Sequence, residues 1–348
     1  MSADPDRIIR DEIRGVSAYH VQPAGGMVKL DAMENPYALP EQLRQELAKL
    51  LASAPLNRYP DPQAPILKTQ LRRTMRIPEE FDILLGNGSD ELIHVMMQAC
   101  ARPGATVLAL APSFVMYRMY ALIAGVKFHS VSLEADFSLD PEKILAAVRE
   151  TRPALIFISY PNNPTGNLFP ESVMQAILRA APGLVVVDEA YQPFAGSTYL
   201  DRLEEYPNLV VLRTLSKLGL AGIRLGYAAG RPEWIREFDK VRSPYNVNVL
   251  TQIVAERVLA HFDVLERQAA AICADRERLA AQLAGMAGIA VYPSRANFLL
   301  VRVTDATRQF EALRRGNVLV KNLHGAHPVL EQCLRITIGT PAENQLLI

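Results

Sequence analysis

The chain of 348 residues carries 37 basic and 37 acidic side chains, so its formal net charge is zero, and tight clusters of Lys and Arg are missing. That balance argues against electrostatic capture by nucleic acid or by an anionic membrane. With 49% apolar and 21% charged residues, the composition is that of a globular enzyme, and the length suits two domains.

The opening M-S-A-D-P-D-R-I-I-R-D-E-I-R is charged and has no apolar core segment, so neither a signal peptide nor a membrane anchor is expected. No apolar run approaches bilayer length. Cys100, Cys273 and Cys333 are widely spaced, odd in number and form no CxxC pair, which predicts buried, reduced thiols in a cytoplasmic setting. Next along the chain, L-L-G-N-G-S-D-E places a glycine loop, Gly86 to Asp90, at the start of a helix. T-V-L-A-L-A (106–111) reads as a strand, followed by a helical pattern in S-F-V-M-Y-R-M-Y-A-L-I-A (113–124). D-P-E-K (140–143) offers an Asp cap, a Pro and a Glu, a favourable helix start. A-L-I-F-I-S-Y (154–160) is the next strand, and Pro170 and Glu171 announce a helix. G-L-V-V-V-D (183–188) and N-L-V-V-L-R (208–213) follow as strands. Alternation of this kind predicts an α/β fold with a mainly parallel sheet flanked by helices.

After about Asn248 the texture changes. A charged helical region runs to roughly Met286, then come short strands within 288–303, a helix near 307–315, V-L-V-K, and C-L-R-I-T-I-G. That pattern predicts a smaller α+β domain. T-P-A-E (340–343) reads as a capping box opening a very short last helix. The expected division is an N-terminal arm (1–39) joining the small domain, a large domain (40–247) and a small domain (248–348).

In open α/β sheets, ligands bind beyond the carboxyl ends of the strands. Beyond 154–160 lie Asn162, Asn163 and Gly166; beyond 183–187 lie Asp188, Glu189 and Tyr191; beyond 208–212 lie Thr214, Ser216 and Lys217. A lysine kept against a hydrophobic wall can act as a nucleophilic amine, because desolvation favours its neutral form. The Gly86–Asp90 loop can aim free N–H groups at an anion. Thr214, Ser216 and Arg224, the last inside the apolar stretch A-G-I-R-L-G-Y, would add donors and charge. A lysine next to a bound phosphate, with a carboxylate placed for a ring nitrogen, suits pyridoxal phosphate.

D-E-A-Y, S-K-L-x-L-A-G-I-R-L-G-Y and N-N-P-T-G resemble the fold-type I pyridoxal-phosphate-dependent aminotransferases. K-L-D-A-M-E-N-P-Y (29–37), N-R-Y-P-D-P (57–62), G-N-G-S-D-E (86–91) and C-L-R-I-T-I-G-T (333–340) carry a closer similarity to the histidinol-phosphate aminotransferase family, from about Lys29 to Thr340. The resemblance implies a seven-stranded sheet, a homodimer with shared sites, and transamination of L-histidinol phosphate with 2-oxoglutarate. It assigns Lys217 the covalent hold on the cofactor and the proton shuttle. Asp188 would pair with the pyridine nitrogen, Tyr191 and Asn163 would bind the ring oxygen, and Tyr117 would stack on the ring. Ser89, Asp90, Thr214, Ser216 and Arg224 would hold the cofactor phosphate, with Tyr59 reaching in from a neighbouring subunit. Arg335 would bind the substrate anion, helped by Tyr19 and Lys321, where the family often has arginine.

Taken residue by residue, some of these positions have plainer readings. Tyr117 shares a helical stripe with Phe114 and could be core, Tyr59 and Tyr19 could simply pack, and Arg335 could face solvent from an alternating strand. His324 and His327, in H-G-A-H-P, lack an acidic or thiol partner nearby, so a metal is not expected; the other histidines and the 10 methionines read as ordinary surface or core residues. Two other reactions stay open, a threonine-phosphate decarboxylase and an aromatic or aspartate-type aminotransferase. A pyridoxal-phosphate-binding regulator is disfavoured because no DNA-binding module is visible, and a nicotinamide dehydrogenase because no strand precedes G-x-G-x-x-G.

Overall fold

The computed structural model describes residues 4–18 and 21–348. The strands in chain order are β1 (Val28–Lys29), β2 (Asp82–Asn87), β3 (Thr106–Ala111), β4 (Lys127–Ser132), β5 (Leu155–Ser159), β6 (Leu184–Asp188), β7 (Leu209–Thr214), β8 (Leu225–Gly230), β9 (Ile289–Val291), β10 (Phe298–Val303), β11 (Val318–Leu319), β12 (Lys321–Asn322) and β13 (Cys333–Thr337). Seven of them form one sheet in the order β2-β8-β7-β6-β5-β3-β4. Every pairing from β7 to β4 is parallel, and β8 alone runs antiparallel to its neighbours β2 and β7.

The central strands are buried along their whole length, as helices on both faces require. Period-two alternation sends Ile156, Ile158, Val185 and Val187 into one core and Leu155, Phe157, Leu184 and Val186 into the other. Each such buried aliphatic side chain contributes roughly 1.5–3 kcal/mol over an exposed one. With both faces sealed, the free edge of the central strands is their carboxyl end. Asp188 closes β6 and Thr214 closes β7 there.

A four-stranded antiparallel sheet, β12-β13-β10-β9, forms the smaller unit. The N-terminal segment returns to it: β1 pairs parallel with β11, and Leu30 and Met33 enter its core beside Phe298, Leu299 and Ile336. The Thr337 N–H donates to the Leu30 carbonyl across 2.9 Å, and the Met33 N–H to Thr337 Oγ1 across 2.9 Å. The charged helical region is two helices, Val249–Leu259 and Phe262–Ala284, because His261 leaves helical geometry (φ −120°, ψ 41°). Ala255, Val258 and Leu259 of the first pack into the large core, whereas Ala269, Ile272 and Leu279 of the second pack into the small one. The helix expected over 113–124 begins only at Met116, which matters for the site below. The last helix, Pro341–Gln345, has the capping box between Thr340 and Glu343. Among the described residues no helix is long and apolar enough to cross a membrane.

Candidate active site

Lys217 lies one turn beyond β7, in a wide turn over Ser216–Leu220. Gly219 adopts φ 126° inside that turn, and a side-chain carbon there would come 2.9 Å from Asn35 Nδ2. Asn35 uses that nitrogen to hold the Leu218 carbonyl at 2.9 Å. The turn is thus clamped by the N-terminal segment, and Lys217 Nζ donates to the Ala32 carbonyl across 3.1 Å. Burial lowers the pKa of this amine to about 8, helped by the positive charge of Arg335. An amine so placed is deprotonated far more readily than a surface lysine.

Asp188 faces the same cavity. Its Oδ2 accepts from the Tyr117 hydroxyl at 2.6 Å, and its Oδ1 accepts from the Ala190 N–H at 3.1 Å. Burial raises its pKa to about 6, against the lowering effect of those two donors. A cation brought next to this carboxylate would reverse that shift. Asn163 bridges the two remaining groups: its Nδ2 donates to the Tyr191 hydroxyl (3.1 Å) and its Oδ1 accepts from Arg335 Nη1 (2.6 Å). Arg335 Nη2 also donates to the Asp31 carbonyl across 2.9 Å.

The third wall is the start of the helix Ser89–Ala99. The amides of Ser89 and Asp90 lie in its first turn, where helical N–H groups have no intrahelical acceptor and the dipole favours an anion. Thr214 Oγ1 and Ser216 Oγ are hydrogen-bonded at 2.9 Å, and Arg224 Nη1 donates to Ser216 Oγ at 3.1 Å. Arg224 Nη2 stands 3.6 Å from Asp90 Oδ2. Gly88 (φ 82°) makes the approach possible, because a side-chain carbon would meet Arg224 Nη2 at 2.6 Å. Helix amides, two hydroxyls and a guanidinium line one wall of the cavity here. The donor set fits a phosphate dianion, with the Lys217 amine and the Asp188 carboxylate on the same cavity.

Ser89, Asp90, Asn163, Asp188, Tyr191, Thr214, Ser216, Lys217 and Arg224 therefore share one cavity. Lys321 and Arg335 line a larger one that adjoins it. Tyr117 departs from its expected place over a ring. It is 1% exposed, stacks on Phe157 with centroids 5.0 Å apart, donates to Asp188, and lines the larger cavity rather than the cofactor pocket. Phe114 stands on the cavity wall instead. The physical reason is the late helix start: Phe114 precedes Met116, so the two rings do not share a helical stripe. Asn162 sets that segment by donating to the Pro112 carbonyl (3.0 Å) and accepting from Ser113 Oγ (2.8 Å). Tyr59 lines neither cavity; it is 80% exposed and stacks on Tyr245 with centroids 4.4 Å apart. Tyr19 lies outside the described residues.

Met33 and Ala190 also line the cavity and carried no chemical signal in the sequence. Behind Thr214 is a separate cavity of about 500 Å³. Its walls include Glu189 and Arg213, whose ion pair (2.8 Å) is satisfied internally. His324 Nδ1 accepts from the Gln332 N–H at 3.2 Å and lies 3.0 Å from Glu331, and among the described residues no three His, Cys, Asp or Glu side chains are grouped to hold a metal.

A buried amine, a buried carboxylate and an anion cradle at the strand ends of this sheet define the class I and II aminotransferases, and the family model of that description matches residues 25–348. The chain is 58% identical over 343 residues to histidinol-phosphate aminotransferase 1 of Ralstonia nicotianae, covering 97% of this chain and 92% of that one. It is 54% identical to histidinol-phosphate aminotransferase of Chromobacterium violaceum, covering 100% and 98%. The crystal structure of histidinol-phosphate aminotransferase from Sinorhizobium meliloti in complex with pyridoxal-5'-phosphate superposes with a TM-score of 0.85 at 26% identity, covering 97% of this chain and 94% of that one. The chain belongs to the histidinol-phosphate aminotransferase family of class I and II aminotransferases.

Proposed function

We propose that this protein moves an amino group between L-histidinol phosphate and 2-oxoglutarate, giving imidazole-acetol phosphate and L-glutamate. The observation that carries the reading is the buried Lys217 amine sharing one cavity with the Asp188 carboxylate and the phosphate cradle. Pyridoxal phosphate, when bound, supplies an electron sink for the pair left when the substrate Cα loses its proton.

The residues divide the work. Lys217 would hold the cofactor through its amine and, once freed by the substrate amine, would serve as the base that takes the proton from the substrate Cα. Its depressed pKa keeps a neutral fraction available near neutral pH. Asp188 would keep the ring nitrogen protonated, and Tyr117 and the Ala190 amide fix the carboxylate for that role. Tyr191, Asn163 and Phe114 line the same pocket and would hold the ring, the first two by hydrogen bonds to its oxygen. The Ser89 and Asp90 amides, Thr214, Ser216 and Arg224 hold the phosphate. Arg335 and Lys321 bind the anionic end of each substrate; Lys321 offers a point charge where a guanidinium would offer a fork. Tyr59 serves the phosphate of a second subunit in a homodimer, a reading supported by its exposure and its stacking on Tyr245. The protein works in the cytoplasm.

The test is a coupled assay offering histidinol phosphate, histidine, phenylalanine, aspartate and threonine phosphate, with and without 2-oxoglutarate. Histidinol phosphate is the preferred amine, turnover requires the keto acid, and Lys217→Ala abolishes it. Release of carbon dioxide from threonine phosphate without a keto acid would instead mark a decarboxylase, and undiminished turnover by Lys217→Ala would remove the assigned role.

A further inference from the structure

A cavity of about 480 Å³ adjoins the cofactor pocket and shares Met33, Phe114 and Asn163 with it. Arg335 and Lys321 give it a cationic part; Leu110, Phe128, Leu323 and Leu330 give it an apolar wall. His327 stands on the same cavity, half-buried, in the loop between β12 and β13. Its Nδ1 accepts from the Val329 N–H at 3.4 Å and caps the short turn Pro328–Leu330. An accepting Nδ1 carries no proton, so the neutral ring bears its hydrogen on Nε2. Burial lowers the pKa of His327 below its ordinary value, which favours that neutral ring. Among the described residues nothing accepts the Nε2 hydrogen.

The other polar groups on the cavity are charged, engaged or at its rim. Ser113 donates to Asn162 across 2.8 Å, the Tyr117 hydroxyl donates to Asp188, Asn163 is held by Arg335, and Arg118 and Ser130 are exposed. An apolar slot with cations at one part accepts a phosphorylated amine with an aromatic tail. Apolar contact alone separates an imidazole from a phenyl ring poorly, whereas a positioned hydrogen bond separates them well. We infer that His327 determines specificity, its Nε2–H donating to the unprotonated nitrogen of the substrate imidazole while Arg335 and Lys321 hold the phosphate. This rests on the transamination reading above.

The experiment uses the holoenzyme at pH 8, with KM and kcat for histidinol phosphate and the inhibition constant of phenylalaninol phosphate against it. In His327→Leu the preference for the imidazole compound over the phenyl compound falls roughly tenfold, carried by KM, the amount one hydrogen bond supplies. His327→Gln, which keeps a donor at similar reach, restores most of the preference. A preference within about twofold of native in His327→Leu overturns the inference, including the case where both constants worsen together because the loop has shifted. Native holoenzyme that turns over no histidinol phosphate overturns the transamination reading itself.

Discussion

The Tyr117 hydroxyl donates to Asp188 Oδ2 across 2.6 Å, from a buried ring stacked on Phe157 and absent from the wall of the cofactor pocket. The bond lowers the pKa of a carboxylate that burial raises to about 6. Tyr117→Phe removes the donor and leaves the volume. The Asp188 pKa then rises further, and the charged form that pairs with a ring cation becomes costlier. We expect about tenfold weaker cofactor affinity at pH 7, the worth of a hydrogen bond to a charged group. Pyridoxal phosphate titrations of apoprotein across pH check it: the acid limb of affinity moves to higher pH in the variant.

Lys217 gives a pH-dependent stability of opposite sense to a salt-bridged lysine. Its folded pKa is about 8 against 10.5 unfolded. Between those values the unfolded chain binds more protons, so stability rises with pH; the penalty is full below pH 8 and gone above about 10.5. Lys217→Met apoprotein is therefore more stable than native apoprotein below pH 8, on the order of 3 kcal/mol. Above pH 10.5 the two converge. Urea midpoints of the two apoproteins over pH 7 to 10.5 measure the difference.

Gly88 and Gly104 share φ 82°, but a side-chain carbon at Gly88 would come within 2.6 Å of Arg224 Nη2, whereas one at Gly104 would face open space. Alanine costs about 1 kcal/mol of backbone strain at either position. Gly88→Ala also displaces the guanidinium from the phosphate cradle. Cofactor affinity falls on the order of tenfold or more in Gly88→Ala, and is unaltered in Gly104→Ala. Equal affinities would show that Arg224 can move aside without consequence.

Glu189 and Arg213 form a buried pair, with Thr198 donating to Glu189 Oε2 at 2.9 Å and Arg213 donating to Thr198 Oγ1 at 2.7 Å. Glu189→Leu leaves the guanidinium without its counter-charge, and Arg213→Met leaves the carboxylate likewise. Each costs about 3–5 kcal/mol, and the double variant costs less than the sum. Denaturant unfolding of the three variants is the measurement. Additive losses would mean that the two side chains act independently.

The strands and the chemical inventory are legible in the residues alone. Val, Leu and Ala runs within 106–111, 184–188 and 209–214 are buried on both faces of a sheet covered by helices, so they read as apolar stretches. Asp188, Thr214, Ser216 and Lys217 follow from being the polar residues at the ends of those runs. Asn162 is visible in the same way, in N-N-P-T-G, though not its task of holding Pro112 and Ser113.

The remainder came from three-dimensional packing. Periodicity could not choose between Phe114 and Tyr117, because both fit one apolar stripe if the helix starts at 113, and it starts at Met116. The reversed direction of β8, which sets Arg224 beside Gly88 and Ser216, is a fact of strand pairing that local pattern does not encode. The clamp of Asn35 and Ala32 on the Lys217 turn joins residues more than 180 positions apart. Such contacts depend on how two cores pack against each other, and the free energy that selects the packing is spread over all the buried side chains rather than written in any one segment.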